Sequence, residues 1–172
     1  MIILIVGMSG SGKTEIGKAL TSFLRDRNET VVHLDGDHFR ELLEADRAES
    51  DYSTEGRKLN AHRIRNFALF LEESGISVVV SSQIIFPEVL ATFRAEAKDY
   101  FEVFTSADED TLRSLDYKGL NKSWDLKPSI PLVGRNIDFP KPKFFDLEIR
   151  NDFVTPPATY ARRILEEVRR VR

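Results

Sequence analysis

The sequence contains no cysteine. This excludes disulfides, thiolate zinc sites and cysteine nucleophiles, and it is compatible with a reducing cytoplasm. Long apolar runs are also missing. The first, Ile2-Ile3-Leu4-Ile5-Val6, has no basic leader before it and is too short for a signal h-region or a membrane span. It reads as a buried strand, the expected compartment is the cytoplasm, and no membrane partner is expected. Charge of one sign is not in excess either: the formal net charge is −3. Nothing draws the whole surface to nucleic acid, so any anion site must be local. Internal repeats and low-complexity tracts are absent. What remains is 172 residues, 41% hydrophobic and 31% charged, the profile of one globular domain spanning 1–172.

Short apolar runs alternate with longer amphipathic stretches. Ile2–Val6 is followed by a helical pattern from Lys13 to about Asp26, with Ile16, Leu20, Phe23 and Leu24 on one face. Val31–Leu34 reads as a strand ending at Asp35. A polar, mobile stretch is expected over Glu44–Thr54, then a helix from about Glu55 to Glu73 stopped by Gly75. Ile76–Val80 is the most strongly β-branched run and reads as a central strand. Further on the pattern gives a helix from Pro87 to about Lys98, a strand at Tyr100–Thr105, a helix at Asp108–Leu115, a weak strand at Leu147–Ile149 and a helix at Pro157–Val171. This alternation predicts an α/β fold, three layers with a parallel central sheet between helices, whose ligands sit at the carboxyl ends of the strands. About 116–145 follow no repeating pattern. They carry Lys118, Lys122, Lys127, Arg135, Lys141 and Lys143 among prolines and a glycine, and read as a basic lid loop.

Gly7-Met8-Ser9-Gly10-Ser11-Gly12-Lys13-Thr14 satisfies G-x-x-x-x-G-K-[ST] between a predicted strand and a predicted helix. Glycines let the backbone wrap so that successive N–H groups point at phosphate oxygens, and the first helical turn adds its unpaired donors. Ser9, Gly10, Ser11 and Gly12 therefore belong to the cradle. Lys13 supplies positive charge to the β- and γ-phosphates, and the Thr14 hydroxyl is a magnesium ligand. The expected cofactors are ATP and Mg2+. No N-K-x-D-like guanine reader is evident, and the chain is short for a motor domain, which leaves small-molecule kinases as the economical reading.

His33-Leu34-Asp35-Gly36-Asp37-His38-Phe39-Arg40 lies at the end of the second strand. One of its two carboxylates suits magnesium or its bound water, the other the proton of an acceptor hydroxyl. Arg40 suits an anionic part of the acceptor. A turn with a helix cap is the alternative, because Asp-Gly is good turn chemistry.

These residues resemble the adenylylsulfate kinase family. Gly7–Thr14 matches its G-x-S-G-S-G-K-[ST], and Leu34–Arg40 its L-D-G-D-x-x-R. Tyr52-Ser53 and Gly56–Ile64 answer a phenylalanine-serine followed by D-R-x-x-N-x-x-R-[IV], and Leu115–Lys122 answer R-D-x-K-G-L-Y-K. The resemblance implies a P-loop kinase that phosphorylates the 3′-hydroxyl of adenylyl sulfate, its partner being a small nucleotide acceptor. It implies Asp37 as base or orienter, Asp35 near magnesium, and Arg40, Arg57 and Asn60 around the acceptor. Lys118 and its basic loop would close over both nucleotides. Dimers are common in the family; no interface signature is legible here, and a homodimer stays open.

Departures from the pattern cluster on the acceptor side. The family's I-S-P-Y-R is replaced by Gln83-Ile84-Ile85-Phe86-Pro87, which puts Ile84 and Pro87 at its serine and arginine. Leu115 replaces the arginine of R-D. The family's F-T-G, whose ring helps sandwich adenine, reads Leu132-Val133-Gly134, so Tyr52 is left as the one stacking face. Ile84 and Leu132 thus stand at expected acceptor contacts. Three readings follow: an adenylylsulfate kinase, a relative retuned to another nucleotide such as cytidine diphosphoramidate in surface-polysaccharide pathways, and a nucleotide-binding regulator without turnover. Retention of Lys13, Thr14, Asp35 and Asp37 argues against the last.

Overall fold

The computed structural model describes residues 1–46, 50–116, 119, 125, 132–134 and 137–171. Five strands form one wholly parallel sheet: β1 (Ile2–Gly7), β2 (Val31–Asp35), β3 (Ser77–Ser82), β4 (Tyr100–Ser106) and β5 (Leu147–Arg150), in the order β2-β3-β1-β4-β5. The helices between and after them are α1 (Lys13–Arg25), α2 (Gly36–Leu43), α3 (Thr54–Glu73), α4 (Pro87–Glu96), α5 (Glu109–Leu115) and α6 (Pro157–Arg170).

β1 is an unbroken apolar run because both of its faces are covered. Ile2, Leu4 and Val6 join the core with Ile64 and Ala68 of α3 and Val89 and Phe93 of α4. Ile3 and Ile5 join the opposite core with Ile16 and Leu20 of α1 and Ile164 and Leu165 of α6. The expected central strand β3 is interior, between β2 and β1, while β1 holds the middle of the sheet. Ile76 precedes β3 as the end of a Schellman cap: Ile76 N–H donates to Leu71 O at 3.0 Å and Gly75 N–H to Glu72 O at 2.9 Å, with Gly75 at φ +80°.

One offered alternative is found in the structure, and one expectation is corrected. Residues after Asp35 fold into α2, so the motif after the second strand is also a helix start. The start of the polar stretch is not solvated: Glu44 is buried, accepts a hydrogen bond from Asp51 N–H at 3.0 Å, and faces Arg40 at 3.9 Å and Arg63 at 3.7 Å. Two guanidiniums and an amide offset the cost of taking that carboxylate out of water. Of the expected lid, Lys118, Lys122, Lys127 and Arg135 lie outside the described residues. Lys141 sits over the rings of Phe104 and Phe145 at 5.1 and 5.2 Å, tying the end of this segment to β4.

Candidate active site

The carboxyl ends of β1, β2 and β3 open on one cleft of about 610 Å³. It runs from Asn151, Phe153 and Thr155, past Ser9, Gly10, Gly12, Lys13 and Thr14, to Asp35, Asp37, His38 and Gln83. The volume falls within the usual range for small-molecule sites.

The loop between β1 and α1 is shaped by its glycines. Gly12 stands at φ +92° as the N-cap of α1, with no side-chain cap to occupy the first-turn N–H groups. A Cβ there would lie 2.3 Å from Asn151 Nδ2, and that amide donates to Ser11 O at 3.1 Å. The cradle is therefore braced from behind by the residue that follows β5. Lys13 Nζ donates to Met8 O at 2.5 Å, which holds the ammonium across the loop.

Asp35 couples the two motifs. Its Oδ2 accepts from Thr14 Oγ1 at 2.6 Å, while its Oδ1 accepts from the N–H groups of Asp37 at 3.1 Å and His38 at 3.3 Å, capping α2. The sequence offered a magnesium-side carboxylate and a helix cap as alternatives; the two oxygens of Asp35 divide the work. Burial acts to raise its pKa, but hydrogen bonds from Thr14, His38 and Asp37 outweigh it and hold the carboxyl below its usual range. Thr14 Oγ1 and Asp35 Oδ2 form a pair of hard oxygen donors that fits Mg2+. Among the described residues no group of three or more His, Cys, Asp or Glu side chains is placed to hold an ion.

Behind the loop, His33 Nε2 lies 2.9 Å from Ser81 Oγ, which donates to Lys13 O at 3.0 Å. The serine proton is thus committed, and the Nε2 position of His33 must carry its own. Burial lowers the His33 pKa and keeps the ring neutral.

On the acceptor side Asp37 is exposed in the first turn of α2 and lines the cleft. Asn60 is buried, and its Nδ2 donates to Gly36 O at 3.2 Å. Tyr52 is half-exposed with two guanidiniums near its ring, Arg40 Cζ at 4.7 Å and Arg57 Cζ at 5.4 Å from its centre. Arg57 Nε donates to Tyr52 O at 2.9 Å.

Two expected acceptor contacts face elsewhere. Arg40 is only 4% exposed, and it donates to the carbonyls of Asp51 and Gly56 beside Glu44. Its guanidinium frames the Tyr52 loop. Ile84 is 1% exposed within the core of α3 and α4, where its apolar side chain is better placed than at a polar cleft. Leu132 is likewise buried, and Lys118 lies outside the described residues.

The sequence reading passed over Asn151, Phe153, Thr155, Pro157 and Tyr160, all lining the donor end of the cleft. One signal was available: they follow a strand at its carboxyl end, where such folds bind ligands. Asp152 folds this turn by accepting from Val154 and Thr155 N–H and Tyr160 OH, which holds its carboxyl well below the usual range. The turn leaves Phe153 at φ +59°.

Residues 1–150 match the adenylylsulphate kinase family model. The chain is 36% identical over 150 residues to the cytidine diphosphoramidate kinase of Campylobacter jejuni, covering 87% of this chain and 85% of the relative. It is 31% identical over 157 residues to the adenylyl-sulfate kinase of Chloroflexus aurantiacus, covering 91% and 83%. The Mycobacterium tuberculosis APS kinase solved with AMPPNP and APS superposes with a TM-score of 0.87 at 25% identity, covering 98% and 96%. With its loop, its second-strand carboxylates and a match over residues 1–150, the chain belongs to the adenylylsulfate kinase family of P-loop kinases.

Proposed function

We propose that the protein transfers the γ-phosphate of Mg-ATP to the 3′-hydroxyl of a nucleotide acceptor, adenylyl sulfate in the first reading. The observation that carries this is the 2.6 Å contact between Thr14 and Asp35, with Asp37 two residues on in the same cleft. Donor and acceptor motifs meet there at one point.

Phosphoryl transfer asks the protein for positioning and charge stabilisation. The loop amides and Lys13 offset charge on the γ-phosphate. Thr14 and Asp35 would hold Mg2+, which would supply positive charge to the phosphates of ATP. Asp37 accepts the acceptor's hydroxyl proton as the new O–P bond forms and the γ-phosphorus leaves the β-phosphate oxygen, releasing ADP. Tyr52 supplies a stacking face for the base, Arg57 stands beside it for anionic groups, and Asn60, held on Gly36 O, is assigned to the ribose. The lid with Lys118 is assigned to closing over the nucleotides.

A second reading has comparable support: the acceptor is cytidine diphosphoramidate. The buried Leu132 leaves Tyr52 without a second stacking ring, which suits a smaller base, and the Campylobacter relative carries that name. An ADP-release assay with each acceptor in turn separates them. A kcat/KM at least tenfold higher for one acceptor assigns it, and ADP release independent of both would refute the proposal.

A further inference from the structure

Among the described residues, five buried side-chain atoms have no hydrogen-bond partner: Ser11 Oγ, Asn60 Oδ1, Gln83 Nε2, Glu102 Oε1 and Thr105 Oγ1. Ser11 and Thr105 belong to the loop and the strand end beside it, and Asn60 to the expected acceptor contacts. Glu102 lies near the other end of the sheet, in contact with Arg94 and Tyr100. Gln83 lines the cleft and has no part in the proposed mechanism.

Its position is well defined. β3 ends at Ser82, so Gln83 is the first residue beyond the carboxyl end of an interior strand, the place where this architecture presents its ligands. Ser82 and Ile84 on either side are buried, which fixes the backbone. The side chain lines the cleft together with Gly36, Asp37 and His38. The family pattern has an isoleucine at this point, so a polar group stands where an apolar one would fit.

A buried amide donor without a partner is costly, and an apolar side chain of the same size removes that cost. Such a group in a cleft is stabilised when a ligand brings an acceptor to it. The carboxylates of Asp35, Asp37 and Glu41 line the same side and cannot donate when ionised. A neutral carboxamide adds a donor there without forming an ion pair with them. Building on the kinase reading, the geometry points to Gln83 as a specificity-determining residue: its carboxamide donates to an oxygen on the ribose–phosphate part of the acceptor nucleotide, and it sets acceptor affinity without touching the ATP site.

The test uses the full chain with Gln83→Leu and Gln83→Glu, assayed with adenylyl sulfate and with cytidine diphosphoramidate. For the better acceptor, Gln83→Leu raises KM at least tenfold, leaves the KM of ATP within twofold, and gives a Tm equal to or above wild type. Gln83→Glu keeps the length but loses both donors, and raises the acceptor KM at least as far. An unchanged acceptor KM in both variants, with wild type active, overturns the assignment alone. So does a KM for ATP that rises in parallel with a falling Tm, because that marks a purely structural role. Wild type inactive on both acceptors overturns the kinase reading and this assignment with it.

Discussion

The donor and acceptor halves of the cleft are built on opposite principles. Around the P-loop the main chain forms the cradle, and side chains such as Asn151, Ser81 and His33 brace it from behind. Around Tyr52 side chains form the surface, and several of them are spent on holding one another: Arg40 on Asp51, Gly56 and Glu44, and Arg57 on Tyr52. A backbone cradle demands particular residue types at particular steps. A side-chain surface can be rebuilt position by position, which is the pattern of the departures from the family.

The contrast breaks most sharply at Lys13. Lys13→Ala removes the one cationic side chain of the loop, so transfer should fall by about 10³-fold or more, on the precedent of deleting a charge-stabilising donor. Circular dichroism should show a folded protein, because the loop is shaped by its glycines and α1 by its apolar face. Turnover within tenfold of wild type would contradict the assigned role.

Arg40→Ala sharpens the comparison from the other side. If Arg40 frames the Tyr52 loop, its loss leaves Glu44 short of a partner and two carbonyls without a donor. Stability should then drop by about 3 kcal/mol, read as a lower urea midpoint. An acceptor-binding arginine would instead leave the midpoint in place and raise the acceptor KM alone.

Asp37→Asn belongs to the chemistry and not to the frame. The amide keeps the shape and loses the base, so kcat should fall about 10²-fold. ATP affinity should be unchanged, because Asp35 and not Asp37 contacts Thr14. A rise in the KM of ATP equal to the loss in kcat would place Asp37 in the donor half.

Much of the donor half was legible in the sequence for the same reason that it is rigid. Gly12 at φ +92° and the strand–loop–helix order leave few alternatives to Gly7–Thr14. The sheet was legible too, since a strand covered on both faces must read as an apolar run. The acceptor half was less so. Arg40 and Ile84 were assigned by motif position, but burial is a tertiary property: Glu44 with the loop carbonyls draws Arg40 inward, and the α3–α4 core takes Ile84. Asn151 and Phe153 escaped notice because they reach the P-loop only when β5 lies beside β4, 140 residues from Ser11 in the case of Asn151. At Asp35-Gly36-Asp37 the sequence offered a turn with a helix cap but not the length of α2, which the Asp35 carboxylate caps.

The smallest effect expected is on the bracing itself. His33 is held neutral, its folded pKa below the ordinary 6.5 because burial penalises the charged ring. Between those two values the unfolded chain binds more protons than the folded one, so stability rises with pH across that window and falls as pH drops below 6.5. The neutral ring donates to Ser81, whose own proton goes to the carbonyl of Lys13, so protonation of His33 strains the brace and not the cradle's donors. In His33→Gln the amide can still donate to Ser81 but does not titrate. Its unfolding midpoint should therefore lose less on going from pH 7.5 to pH 5.5 than that of wild type, by a margin of about 1 kcal/mol or less, while turnover at pH 7.5 stays within a few-fold. Identical pH slopes in the two proteins would mean that His33 is not the group that senses acid beneath the P-loop.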